Sequence, residues 1–248
     1  MKLEKTAEKK SVNRGAKTGS RRNLELIITA MLMAVIILMT MVPILGYIPL
    51  GVINATIVHI PVILGSVVLG KKKGAFLGFV FGLTSFYNNT FRASTLSAFV
   101  FSPVIAYNQI GISGVWKSTF ICFVPRILVG IVPALVFPSL MKTFKKASEK
   151  PEWNISKTFY RSVSLGFAGF AGSITNTLLV MGGIYVLYRD AYAAATGVAA
   201  EALINVIVGI VCFNGIIESA LAAFITVAVG SALYAAGLIG DFGEKSNV

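Results

Sequence analysis

The chain has 248 residues, of which 56% are hydrophobic and 13% are charged, and its mean hydropathy is +0.80. An average soluble domain carries about 25% charged residues, so this composition excludes an ordinary soluble fold and indicates a membrane protein. The net charge of +12 does not indicate nucleic-acid binding, because the Lys and Arg residues flank apolar segments and form no folded basic domain.

Six segments are predicted to cross the membrane as helices, which makes the fold class an all-α membrane bundle. Four of them approach or exceed the roughly 20 apolar residues that a bilayer requires, and they cover residues 24–41, 120–140, 162–188 and 203–236. Two shorter segments, 56–70 and 74–87, are predicted to form a helical hairpin with the lysines at 71–73 in its tight turn. The segment 97–106 contains Pro103 and suits a re-entrant or surface loop better than a seventh span.

The basic residues predict the orientation of these helices. With six helices and both termini in the cytoplasm, eighteen of the twenty-two Lys and Arg residues fall on the cytoplasmic side, as the positive-inside rule requires. Seven helices would move the basic loop 142–161 outside. Residues 1–22 are predicted to be a disordered basic tail, 23–240 the six-helix membrane domain, and 241–248 a short cytoplasmic tail.

The first predicted helix carries two small residues one turn apart, Ala30 and Ala34, among Ile, Leu and Met side chains. This small-xxx-small spacing lets a second helix approach closely. From the spacing alone, packing against another helix of the same chain is favoured over docking of a partner protein.

Polar residues inside the later helices are costly in a membrane, and they indicate a cavity, a partner or a substrate. Arg126 is expected about 10 Å inside the fourth helix, if that helix starts near Phe120. The other polar residues expected at this outward-facing level are Ser173, Asn176 and Thr177 on the fifth helix and Asn214 and Glu218 on the sixth.

Loop residues are expected to complete this level. They are Asn88, Asn89 and Arg92 after the third helix, and Tyr47 and Asn54 after the first. For any one residue a structural role is an even alternative: Arg126 and Glu218 would form an ion pair, and the amides would form interhelical hydrogen bonds worth about 0.6 kcal/mol each. Taken together, an arginine, an acid and several amides fit a small polar ligand whose carboxylate the arginine orients.

Five stretches of the sequence resemble the substrate-binding S components of energy-coupling factor (ECF) transporters, most closely the pantothenate-type branch. They are residues 54–65 (NATIVHIPVILG), 74–85 (GAFLGFVFGLTS), 125–130 (PRILVG), 172–177 (GSITNT) and 214–218 (NGIIE), in the family's order. The resemblance implies a compact six-helix subunit of the cell membrane that binds a vitamin from outside. It implies docking on a transmembrane T protein with two cytoplasmic ATPases, and Ala30 and Ala34 then match the family's docking motif. Pantothenate is the expected ligand, and riboflavin, folate and niacin are the alternatives.

Two other classes of function are alternatives to transport by an S component. Ion-coupled secondary transport would let Glu218 carry a proton, but the two halves of the chain show no internal similarity. A membrane enzyme would need a nucleophile with a base, or metal ligands. The sequence has one His, no H-E-x-x-H motif and no paired Asp, so it offers few residues for either kind of site. The sequence also has no phosphate-binding loop, so no cofactor is expected in this chain and ATP hydrolysis is expected in partner subunits. His59 is the only histidine, so no histidine cluster for a metal is expected.

Overall fold

The computed structural model describes residues 2–49, 54–92, 97–149 and 156–237, with side chains described for 22–42, 45–46, 56–92, 97–149 and 156–237. The helices are α1 (Lys2–Met41), α2 (Pro43–Gly46), α3 (His59–Leu69), α4 (Lys71–Phe91), α5 (Pro103–Ile110), α6 (Ile112–Ser148), α7 (Lys157–Thr196), α8 (Leu203–Ile210) and α9 (Ile216–Ala235). A 3-10 turn covers Ala98–Val100, and a π-helical segment, Val211–Gly215, joins α8 to α9. Two short strands, β1 (Tyr47–Pro49) and β2 (Asn54–Thr56), pair antiparallel between α2 and α3.

Helices dominate this architecture, as the apolar segments predicted. Within the described residues, four helical stretches are long and apolar enough to cross a membrane: Arg22–Met41 of α1, all of α6, all of α7, and the continuous run Leu203–Ala235. The two shorter apolar segments become α3 and α4. The segment 97–106 forms the 3-10 turn and the start of α5, which has eight residues and is too short to span. The prediction of an α-helical membrane protein is therefore confirmed.

The turn between α3 and α4 lies at Gly70, and the prediction of a turn at the three lysines was wrong. Gly70 has a φ of +84°, a conformation that glycine adopts without steric cost. The Gly70 amide donates to the Ser66 carbonyl oxygen at 3.0 Å and closes α3. Residues 71–73 form the first turn of α4, where Lys73 Nζ lies 2.7 Å from a carboxylate oxygen of Glu25 on α1. One glycine is enough to reverse the chain, so the three lysines can form the first turn of α4.

Two helix starts also differ from the sequence prediction. α6 begins at Ile112 and not near Phe120, directly after Gly111, whose φ is +70°. Arg126 therefore lies about 21 Å from the N-terminal end of α6, not about 10 Å. The helical backbone of α1 extends back to Lys2, through the stretch that composition indicates as a tail. The division into tails and membrane domain stays a prediction, and residues 241–248 lie outside the described part of the chain.

Glycines bring α4 and α6 into backbone contact. Gly74, Gly78 and Gly82 lie one turn apart on α4 and face α6. A Cβ added at Gly78 would collide with the carbonyl oxygen of Arg126, and one at Gly130 would collide with the carbonyl oxygen of Gly74. Small residues at this spacing allow two helices to approach closely in a membrane. We call this interface the α4–α6 seam.

The helices differ in how far they are enclosed. In its most apolar stretch, 44% of the residues of α6 are buried, whereas the corresponding figure for α1 is 11%. One core cluster joins α1, α3, α4, α6 and α9, and its fully buried members include Ile36, Ile63, Leu77, Val129 and Ala222. α6 is therefore central, and α1 lies at the periphery with much of its surface uncovered.

Candidate ligand-binding site

Close contacts between helices fix which residues lie at the same depth. A Cβ added at Gly172 on α7 would meet Ile63 of α3 at 2.7 Å and Pro133 of α6 at 2.8 Å. One added at Gly183, farther along α7, would meet Ile121 of α6 at 3.0 Å. α7 is therefore antiparallel to α6. α4 runs antiparallel to both α3 and α6, so α3 is parallel to α6. α7 is therefore antiparallel to α3 as well.

This alignment places His59, Asn176 and Arg126 at nearly one depth. We use outward for the direction toward the N-terminal end of α6. His59 lies one turn outward from Ile63 on α3, and Asn176 lies one turn outward from Gly172 on α7. Residues four apart share a helix face, so the two side chains lie level and on facing surfaces. Arg126 lies between Ile121 and Pro133 on α6, and this position places it about 4 Å farther out than Asn176.

α9 brings Glu218 to the same region. A Cβ added at Gly215 would meet Thr177 of α7 at 2.9 Å, and one at Gly169 of α7 would meet the carbonyl oxygen of Ala222 at 2.8 Å. Glu218 lies between these contacts and is therefore level with Ser173. We define the polar layer as Arg126, His59, Ser173, Asn176, Thr177, Asn214, Glu218 and Ser219, which lie within about one and a half helical turns in depth.

Arg126 is held between aromatic rings. Its side chain is 6% exposed, and Nη1 donates to the Ile121 carbonyl oxygen at 2.8 Å. The guanidinium carbon lies 4.7 Å from the ring centre of Phe101 and 5.6 Å from that of Phe81. Cation–π contacts of this kind stabilise a desolvated cation by about 2 kcal/mol. The rings therefore keep a positive charge at a fixed place inside the bundle.

Glu218 is bound to the chain that precedes α3. Its Oε1 accepts a hydrogen bond from the backbone amide of Thr56 at 2.7 Å. Among the residues whose side chains are described, Glu218 forms no ion pair with Arg126, so the alternative of a structural pair is not supported. In the same part of the chain, no group of three His, Cys, Asp or Glu residues is placed to bind a metal ion.

A helix irregularity carries Asn214. It lies half-buried in the π-helical segment Val211–Gly215, one turn before Glu218. A π turn inserts an extra residue into the helix and is frequently found at functional sites. The segment joins α8 to α9 within one continuous span, so the widened turn falls at the polar layer and brings Gly215 against Thr177.

Several buried polar atoms of the layer have no hydrogen-bond partner among the described residues. Leaving such a group unsatisfied costs about 1–3 kcal/mol, and native proteins contain few of them. In the polar layer they are both ring nitrogens of His59, Oγ of Ser173, Oδ1 of Asn176 and Oγ of Ser219. They lie on three helices within the depth of the polar layer, which makes this layer the candidate site.

The loop residues predicted to complete the site lie farther out. Asn88 Nδ2 donates to the Thr40 carbonyl oxygen at 2.5 Å, and Arg92 Nη1 donates to the Met41 carbonyl oxygen at 2.9 Å. Both side chains therefore satisfy free carbonyls at the end of α1. Asn88 lies about 9 Å outward from Gly82 on α4, beyond the polar layer. The contact describes a structural role for Arg92, whereas Asn88 Oδ1 is buried and has no partner among the described residues.

The structure also brings in residues that the sequence analysis did not assign to the site. His59 was recognisable, because it is the one ionisable residue in the apolar segment 56–70. Phe81 and Phe101 carried no comparable signal among seventeen phenylalanines. The side chains of Tyr47 and Asn54, expected near this level, lie outside the described residues.

Comparison with known proteins agrees with this architecture. The family described as "ECF transporter, substrate-specific component" matches residues 24–230. The pantothenic acid transporter PanT of Lactococcus lactis subsp. cremoris (strain MG1363) is 34% identical over 173 residues, which cover 67% of this chain and 78% of that protein. The pantothenate transporter PanT of Leuconostoc mesenteroides subsp. mesenteroides is 28% identical over 213 residues, which cover 84% and 91%.

These matches bear out three predictions made from the sequence. The resemblance to S components is confirmed, and so is the expectation that the chain is not an enzyme, because the family and both relatives are transport components. The plasma membrane location follows from the family and the apolar helices. The chain belongs to the family of substrate-specific components of ECF transporters.

Proposed function

We propose that the chain captures pantothenate from outside the cell for an ECF-type importer. The observation that carries this proposal is the polar layer, in which an arginine in contact with two aromatic rings lies within about one and a half helical turns of several buried polar atoms that have no partner among the described residues. Both relatives are named as pantothenate transporters, which supports this choice of vitamin over riboflavin, folate or niacin.

The chemistry of pantothenate matches the arrangement of the layer. The molecule has a carboxylate at one end, an amide in the middle and two hydroxyl groups at the other end. Arg126 would bind the carboxylate by charge-assisted hydrogen bonds. Glu218 would repel the carboxylate and accept from a hydroxyl, which orients the ligand. Ser173 and Asn176 lie close in depth to Glu218 and would contact the polar groups of the hydroxyl-bearing half.

The proposal includes six membrane spans with both termini in the cytoplasm. α3 and α4 are added to the four long apolar stretches. α3 measures only about 16 Å, but its first ten residues, 59–68, are all buried, so it faces protein and not lipid. The basic residues before Leu24, at 71–73 and in 142–161 then lie on the cytoplasmic side.

Transport would require docking on a T protein and two ATPases, which would hydrolyse ATP in place of this chain. α1 is the least buried of the four long spans, and Ala30 and Ala34 are both exposed on it. The alternative that these alanines pack inside the chain therefore loses support. Their small side chains would let a helix of the T protein approach closely.

Equilibrium binding of radiolabelled pantothenate to the purified chain tests the ligand assignment. Arg126→Ala should weaken binding about tenfold or more, because one charge-assisted contact contributes about 1.5–3 kcal/mol. Glu218→Gln should weaken it less, since an amide oxygen still accepts from Thr56 or from a hydroxyl. Arg92→Ala is the matched control and should stay within about twofold, because Arg92 binds the end of α1. Unchanged affinity in Arg126→Ala would exclude the carboxylate clamp.

Reconstitution in liposomes tests docking. The chain alone should bind pantothenate without accumulating it, and the T protein with both ATPases should add ATP-driven uptake. Ala34→Trp should abolish uptake and leave binding intact, because the indole fills the groove on α1. Val35→Trp, about 100° round the same helix, is the control and should transport. ATP-driven uptake by the single chain would contradict the proposal.

A further inference from the structure

His59 is an unusual residue to find inside this bundle. Its side chain is 1% exposed and lies at the start of α3, among apolar neighbours. Neither ring nitrogen has a hydrogen-bond partner among the described residues. Burying a polar group without compensation costs about 1–3 kcal/mol by mutational measures. A leucine would fill the same place without that cost, so the fold alone does not explain the histidine.

The surroundings of His59 are those of the polar layer. Arg126 belongs to the same layer and lies about 4 Å farther out in depth. By the contact between Ile63 and Gly172, His59 lies at nearly the same depth as Asn176 on the neighbouring helix α7. Asn176 Oδ1 is also buried and has no partner among the described residues, so two polar side chains at this depth lack hydrogen bonds. A polar group of a ligand bound at this depth would supply them.

Depth decides which part of a ligand would fill that place. His59 lies about 4 Å inward from Arg126 and about 4 Å outward from Glu218. If Arg126 binds the carboxylate, His59 is on the side of the amide and the hydroxyl groups. A neutral imidazole offers one donor and one acceptor, and a hydroxyl group likewise donates and accepts. The two groups are therefore complementary.

We propose that His59 contacts a hydroxyl group of the ligand and determines selectivity for hydroxylated ligands. This inference rests on the proposed binding of pantothenate and adds a residue to that site. The energetic reason for selectivity is general: a site built to hydrogen-bond a hydroxyl rejects the analogue without it, because the polar groups of the site then stay buried and unpaired.

A competition experiment with two ligands tests the inference. Radiolabelled pantothenate is displaced from the detergent-solubilised chain by unlabelled pantothenate or by 3,3-dimethylbutanoyl-β-alanine, which lacks both hydroxyl groups. The wild-type chain should prefer pantothenate. His59→Leu should lower pantothenate affinity about tenfold or more and leave the affinity for the analogue within about twofold. His59→Gln, which keeps a donor and an acceptor, should retain most of the preference.

A control variant removes another unpartnered buried polar atom away from the site. Thr226→Val takes away a buried hydroxyl of α9 that has no partner in the described part of the chain and lies about 12 Å inward from Glu218. Both affinities should stay at the wild-type values. The melting temperature of the unliganded chain should not fall in His59→Leu, because no hydrogen bond within the described chain is lost.

The possible results separate the two proposals. If His59→Leu weakens both ligands by the same factor, or does not fold without ligand, His59 has only a packing role and the inference is wrong. If pantothenate binds the wild-type chain and His59→Leu keeps the full preference, the inference fails alone. If the wild-type chain does not bind pantothenate, the proposed function fails and this inference fails with it.

Discussion

The α4–α6 seam and the polar layer are both buried, and they differ in what completes them. In the seam, backbone touches backbone, and the Cys122 thiol lies 3.4 Å from the Gly82 carbonyl oxygen. Beside it, Ser66 Oγ accepts from the Ala134 amide at 3.0 Å. In the polar layer, Ser173 and His59 are equally buried but have no such partners among the described residues. The polar groups of the seam find their partners within the chain, whereas those of the layer leave room for the partners that the proposed ligand would supply.

The largest effect should come from breaking the seam. Gly130→Leu places a side chain against the Gly74 carbonyl, and two helix backbones cannot move apart without opening the core. We expect no folded protein, measured as loss of the monodisperse peak in size-exclusion chromatography after detergent extraction.

The matched control for this change is Gly182→Leu. Gly182 is exposed on α7, and an added Cβ would have nothing within 4 Å. The variant should elute and melt like the wild-type chain. A folded Gly130→Leu chain with normal stability would show that the two helices tolerate separation, and the contrast between seam and layer would lose its basis.

Local patterns in the sequence predicted the helices better than the contacts inside the polar layer. The apolar segments identified the helices because hydropathy over about 20 residues is a strong signal. They did not identify the start of α6, since residues 112–119 include Ser113, Lys117 and Ser118 and do not read as a span. The turn at Gly70 was masked by three adjacent lysines, which suit a polar turn equally well.

Residue type predicted the members of the polar layer but not their hydrogen-bond partners. Arg126, Ser173 and Glu218 were chosen because a polar side chain in an apolar helix is costly, and the structure places them at similar depths. The alternative pairing of Arg126 with Glu218 was not found. Glu218 binds the Thr56 amide, 162 positions away in the sequence, and no local pattern reports such a contact. Residue type can suggest a buried site, but the partners inside it depend on tertiary structure.

The smallest effect, and the sharpest comparison, comes from two serines. Ser66 and Ser173 are both 0% exposed, and Ser→Ala removes one hydroxyl from each. Ser66→Ala deprives the Ala134 amide of its acceptor, so the unliganded chain should lose about 1 kcal/mol of stability and keep its pantothenate affinity. Ser173→Ala removes a hydroxyl that has no partner among the described residues, so stability should not fall, but pantothenate binding should weaken about threefold to tenfold. Thermal unfolding without ligand and equilibrium binding measure the two effects separately. If Ser173→Ala destabilises the unliganded chain as much as Ser66→Ala does, the layer is already satisfied within the protein and does not await a ligand.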